Sequence, residues 1–128
     1  MNSCEPLDEL NVLRTVEDPI EFHIGLRHLL RDILEKALEA SDLKFSGPYP
    51  QLHYLYIKRK ISKETFLLAN AFRTRAEQLA LPELKQKRKE SIAAIAFLIE
   101  ELFTVKIPDC WDIAPKTTFL LQQERREI

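Results

Sequence analysis

Apolar residues recur at helical spacing along most of the chain, and the densest run lies at Glu90–Lys106. On a 100° wheel Ile92, Ile95, Ile99, Leu102 and Phe103 make one stripe, which Ala94, Phe97 and Leu98 extend well round the cylinder. A helix apolar on most sides is normally a central one, covered by neighbours on several faces. Glu100 and Glu101 interrupt it, and it is too short to span a bilayer.

Other elements follow in order. Leu7, Leu10 and Leu13 are the apolar edge of a short helical pattern headed by Pro6. Asp18-Pro19 reads as an N-cap followed by proline at the first helical position, with Glu21 in the first turn. From there Ile20, Ile24, Leu26, Leu29, Leu30, Ile33, Leu34, Ala37 and Leu38 predict a long amphipathic helix to about Ala40. Gly47, Pro48 and Pro50 break the pattern, and Leu52, Tyr54, Leu55, Tyr56 and Ile57 fit a short helix better than a strand with no sheet to join. Ser62 caps the next helix, to about Leu79, with Leu68, Ala71, Phe72, Arg75 and Leu79 on one face. Pro82 and Glu83 open the last long helix, which begins polar and becomes the apolar run. Pro108 and Pro115 then stop it; Ile107, Trp111 and Ile113 are expected to pack back across the bundle. Residues 117–125 are expected to form a last helical turn or two, capped by Thr117 or Thr118.

Composition narrows the class. With 128 residues, 45% apolar and 30% charged, the chain fits one globular domain, 1–128, with frayed tips at 1–5 and 126–128. Two glycines, Gly25 and Gly47, are too few for the tight turns of a sheet protein. Cys4 and Cys110 make no disulfide framework, and with no leader or spanning run a reduced, cytoplasmic protein is expected. The net charge of −1 hides an asymmetry: residues 1–42 carry ten acids against four Lys/Arg, and residues 43–106 carry twelve Lys/Arg against six acids. The halves either complement each other within the bundle or present a basic face to an anionic partner.

Candidate chemistry is sparse. His23, Arg27 and Arg31 lie at i, i+4 and i+8, and His28 with Asp32 at i, i+4, which reads as a solvated stripe more readily than as a base with its orienting carboxylate. There is no CxxC or HExxH, so no metal or other cofactor is expected. Cys110, beside Trp111, reads as a small buried hydrophobe. The absence of a glycine-rich loop excludes P-loop or kinase-type nucleotide chemistry. Two basic clusters remain: Lys58, Arg59 and Lys60, and then Lys85, Lys87, Arg88 and Lys89, whose position at a helix start opposes the macrodipole. Tyr49, Tyr54 and Tyr56 near Lys58 are candidates for stacking on unpaired bases.

The order of signals across residues 20–104 resembles the HEPN superfamily of helical bundles, found in prokaryotic toxins and defence proteins. The matching features are Arg27 and Arg31 on an early helix, the Ile61-Ser62-Lys63-Glu64 helix start, the alanine- and arginine-containing segment, and Pro82-Glu83 opening a long apolar helix. Catalytic members are metal-independent ribonucleases with an arginine followed four to six residues later by a histidine. Arg73 stands where that arginine is expected, but Gln78, Leu79 and Ala80 occupy the region of the histidine, and none follows His53. The resemblance therefore implies a degenerate, non-catalytic member that binds rather than cuts, in a defence or regulatory system.

These readings converge on an all-α, up-and-down bundle of four to five main helices with an irregular C-terminal extension. The expected function is a non-enzymatic interaction module that forms a homodimer or docks a partner protein through surplus apolar surface at Ala94, Phe97 and Leu98, with Glu101 beside it. The alternative is a small nucleic-acid-binding subunit, with RNA contacted by Lys58, Arg59, Lys60, Arg73, Arg75, Lys85, Lys87, Arg88 and Lys89. No membrane partner is expected.

Overall fold

The structure, a computed structural model, describes residues 5–41, 43–78, 81–116 and 118–119. The expectations for tips at 1–4 and 126–128, for Leu79, and for a helical turn through 120–125 fall outside these residues, as does Thr117 as its cap. Among the described residues six helices follow one another: α1 (Glu5–Leu13), α2 (Pro19–Ala37), α3 (Pro48–Ile57), α4 (Lys63–Gln78), α5 (Leu81–Gln86) and α6 (Arg88–Phe103). A single 3-10 turn, Asp109–Trp111, comes after them, and no strand occurs among the described residues. The molecule is an all-α helical bundle. No described helix is long and apolar enough to cross a membrane.

Local chemistry sets the helix starts. The Asp18 carboxylate accepts from the Ile20 N–H at 2.9 Å, and Pro19 fills the first helical position, where a missing N–H is harmless. The Ser62 hydroxyl accepts from the Thr65 N–H at 3.2 Å and so caps α4. At the end of α3, the Lys60 N–H reaches back to the Leu55 carbonyl at 2.9 Å, which places Arg59 in the left-handed region at φ 60°. Glycine is the usual occupant of that position.

α6 is the axis of the fold, packed against α1, α2, α4 and α5. Its residues Ala93 through Ile99 are consecutively buried, which a helix achieves only when surrounded. Ala93, Ala94 and Ala96 keep it thin, so that Phe22 of α2 and Phe72 of α4, both fully buried, reach the same core. Ile107, Trp111 and Ile113 pack against this core as expected. At the α1–α2 contact the Leu13 side chain lies over Gly25, and a Cβ there would come 2.4 Å from Leu13 Cδ2 and displace that methyl group.

The single helix expected from Pro82 is two. The backbone leaves helical geometry at Lys87 (φ −100°, ψ 14°), although the Lys87 N–H still donates to Glu83 O at 2.9 Å. α5 buries Leu84 and packs on α2, while α6 turns into the centre. Arg88 fastens the turn. Its Nη2 donates to the carbonyls of Arg14 (3.0 Å) and Val16 (2.6 Å), just past the end of α1, and its guanidinium lies 3.9 Å from the Phe22 ring centroid. A cation that looks misplaced at the start of α6 therefore serves the carbonyl-rich end of α1.

Candidate nucleic-acid interface

Because α2 buries Phe22, His23, Leu26, Leu29, Leu30, Ile33 and Leu34, helical periodicity turns Ile24, Arg27, His28 and Arg31 outward. These four line a groove of about 350 Å³ together with Pro48 of α3 and Arg73 and Glu77 of α4. Arg73 is held in place. Its Nε and Nη2 donate to Asn70 Oδ1 at 3.1 and 3.0 Å, its Nη1 donates to Glu77 Oε1 at 3.2 Å, and the guanidinium carbon lies 5.6 Å from the Tyr49 ring centroid.

Tyr49, 44% exposed, connects the groove to an aromatic group on α3 and α4. It stacks on the exposed His53 ring at 5.8 Å and 11°, and both rings contact Phe66, which stacks in turn on Tyr56 at 5.0 Å. The groove thus offers three arginines and a histidine against one carboxylate, already paired with Arg73, beside exposed aromatic rings.

The flank of α2 that faces α1 has the other sign. Glu5, Glu9, Asp32, Glu35 and Glu39 line a groove of about 450 Å³ there, with Lys36 bound to Glu5 at 3.1 Å. Asp32 therefore belongs to a different groove from His28, and the two form no hydrogen bond among the described residues.

The basic residues singled out from sequence do not converge. Lys58, Arg59 and Lys60 are exposed at the far end of α3, where Lys58 and Lys60 border a separate hollow of about 690 Å³ with Tyr54 and Leu102. Arg75 is buried and pairs with Glu90 at 2.7 Å, and Arg88 is committed to α1. Lys85 and Lys89 are exposed and Lys87 half-buried near the α5–α6 turn. Only Arg73 of that set reaches the α2–α4 groove. Arg27, His28 and Arg31 were visible as an i, i+4 pattern, but nothing in the sequence said that α4 would bring an arginine beside them.

His23 departs from its expected solvated stripe and is fully buried. Its Nδ1–H donates to the Pro19 carbonyl at 2.9 Å, so Nε2 is the acceptor for the Ser91 hydroxyl at 3.1 Å. Ser91 Oγ in turn accepts from Arg75 Nη2 at 3.2 Å. Burial above all, and then the charges of Arg75 and Arg88, hold the imidazole below its ordinary pKa, against the pull of its hydrogen bond to Pro19. Ser91 has no exposure, so this Ser–His contact is a structural tie rather than a nucleophile.

The surplus apolar surface expected on α6 is not a surface. Ala94 and Leu98 have no exposure and Phe97 has 7%, with the Lys116 ammonium 5.2 Å from its ring centroid. The expectation failed because α6 is enclosed by four helices, so its apolar residues in excess of a stripe are all consumed by the core. Glu101 is also occupied: it accepts from Ser62 N–H (2.6 Å), Thr65 Oγ1 (2.5 Å) and Lys116 Nζ. Burial pushes this carboxyl up, but the hydrogen bonds from Lys116, Thr65 and Ser62 outweigh it and hold it below the ordinary carboxylate value.

Cys110 is exposed in the 3-10 turn, not buried; Trp111 beside it takes the packing position instead. Among the described residues no group of three His, Cys, Asp or Glu is placed to hold a metal ion. Compared with known protein families, curated proteins and solved structures, the chain matches none.

Proposed function

We propose that this protein binds single-stranded nucleic acid, RNA in particular, along the α2–α4 groove, and does so without cutting it. The observation that carries the reading is the convergence of Arg27, Arg31 and Arg73 from two helices beside the exposed Tyr49–His53 stack. Arginine suits phosphate because its planar fork of donors matches phosphate oxygens in pairs. Unpaired bases supply π-faces that stack on tyrosine and histidine rings whatever their sequence. The resemblance of residues 20–104 to the HEPN superfamily, whose non-catalytic bundles dimerise or dock partners, does not itself supply this ligand; the arginines and rings of the groove do. Binding without cleavage is supported by the departure from the family's motif, since no histidine follows Arg73. A self-associating module is the weaker reading, since its proposed anchors Ala94, Phe97 and Leu98 lie inside.

Fluorescence anisotropy with a labelled single-stranded RNA across a salt series tests the proposal. Three arginines neutralising phosphates correspond to a log–log slope of about −2, taking roughly 0.7 per contact for single strands. Arg27→Ala and Arg31→Ala each weaken binding and lower the slope by about one contact. No binding at low salt, or binding that ignores both substitutions, removes the proposal.

A further inference from the structure

A further cavity, of about 530 Å³, opens where the end of α1, the start of α6 and the segment after Asp109 meet. It shares no lining residue with the α2–α4 groove. Its apolar lining comes from Ile92, Trp111 and Ile113, half-buried, and from Phe119, 8% exposed. Arg14, Arg88 and Lys89 border it, against one carboxylate, Asp112.

The three cations differ in what already engages them. Arg88 is committed to two backbone carbonyls. Arg14 donates to the neutral Asn11 Oδ1 at 3.0 Å and lies 4.4 Å from the Trp111 ring centroid, which fixes it as a charged wall of the cavity. Lys89 is exposed at the mouth and forms no ion pair among the described residues. Apolar walls, two positive charges that form no ion pair among the described residues, and a volume in the range of small-molecule sites describe a complement to one kind of ligand.

We propose that this cavity binds a small amphipathic anion, a carboxylate carrying a medium-length acyl chain. The chain lies on Ile92, Trp111 and Ile113, and the carboxylate meets Lys89 and Arg14. Charge decides the head group: a neutral or cationic head on the same tail loses the contact with Lys89 and faces Arg14 unfavourably. A polynucleotide is a poor match, because the apolar lining offers nothing to its repeating phosphates.

Trp111 is the chain's only tryptophan, so its emission reports on this cavity and nowhere else. The experiment titrates the full-length protein with decanoate, below its micellar range, and in parallel with 1-decanol and decyltrimethylammonium. A saturable change in Trp111 emission with decanoate, at least tenfold weaker with the other two, supports the site. Lys89→Gln and Lys89→Glu, both at an exposed position, should weaken decanoate by about fivefold and more than tenfold while leaving circular dichroism unchanged. Unchanged Trp111 emission, equal response to the neutral or cationic tail, or full affinity in both Lys89 variants overturns the proposal. RNA binding by the same variants stays intact, so failure here and failure of the groove are read separately.

Discussion

Arg75 of α4 and Glu90 of α6 meet at 2.7 Å with side chains only 5% and 6% exposed, and this ion pair ties the central helix to its neighbour. Glu90→Gln removes the carboxylate that faces the Arg75 guanidinium in the core, which costs about 3–5 kcal/mol. The double variant Arg75→Met/Glu90→Leu should lose less than Glu90→Gln or Arg75→Met alone, because both charges then leave the core together. Urea unfolding of the three variants checks the order; a single variant milder than the double one contradicts it.

Stability should also fall with mild acid through His23. Its pKa is depressed in the folded state, so the unfolded chain takes up the proton first as pH drops. The contribution is complete above the unfolded value of about 6.5 and is lost as pH falls through the lower folded value. Comparing urea midpoints between neutral and mildly acidic pH for the native chain and His23→Gln measures this. The variant should be weaker at neutral pH and show a flatter profile.

Glu101 acts in a lower window. Its depressed pKa means that its contribution is present above the ordinary carboxylate value and lost as pH falls through the folded one. Glu101→Gln keeps the shape but drops the charge that Ser62, Thr65 and Lys116 surround, at a cost of about 1–3 kcal/mol. Thermal unfolding near neutrality should show the loss, and the acid limb of the stability profile should shrink with it.

Leu98 distinguishes core from interface. Leu98→Ala should cost about 2–5 kcal/mol in unfolding free energy, as buried leucines do. Light scattering should return the same mass for the variant and the native chain. A change of oligomeric state without loss of stability would restore α6 as a docking face.

Tyr49→Ala reads the aromatic side of the groove. Removing one stacking platform should weaken single-stranded RNA by about 1–3 kcal/mol with little change in salt slope, since no cation is lost. Equal affinity in anisotropy would mean that the Tyr49–His53 stack is not part of the binding surface.

Much of the fold was legible because it rests on short-range rules. Asp18-Pro19, Ser62 and the proline-rich stretch at Gly47–Pro50 marked boundaries that the structure keeps to within a few residues. The continuous apolar run correctly made α6 the centre. Its enclosure was the part that periodicity does not encode: a wheel shows how much of a helix is apolar, not how many neighbours will cover it. The same limit explains the cations. Arg75 and Arg73 are two residues apart, so one points inward to Glu90 and the other outward to Tyr49, a difference decided by which face of α4 meets α6. Arg88 and the α5–α6 turn depended on carbonyls more than seventy residues earlier, at Arg14 and Val16.

Helix α2 also acts as a partition. Its flank against α1 is acidic and its flank against α4 is basic, a contrast that the chain's net charge of −1 conceals. On the proposed function, a long polyanion drifting toward these two grooves is turned before contact, repelled from the acidic one and drawn into the basic one. That torque acts only within roughly 8–10 Å at physiological salt, about one screening length. Near the surface, direction of approach is thus selected before any side chain touches the strand.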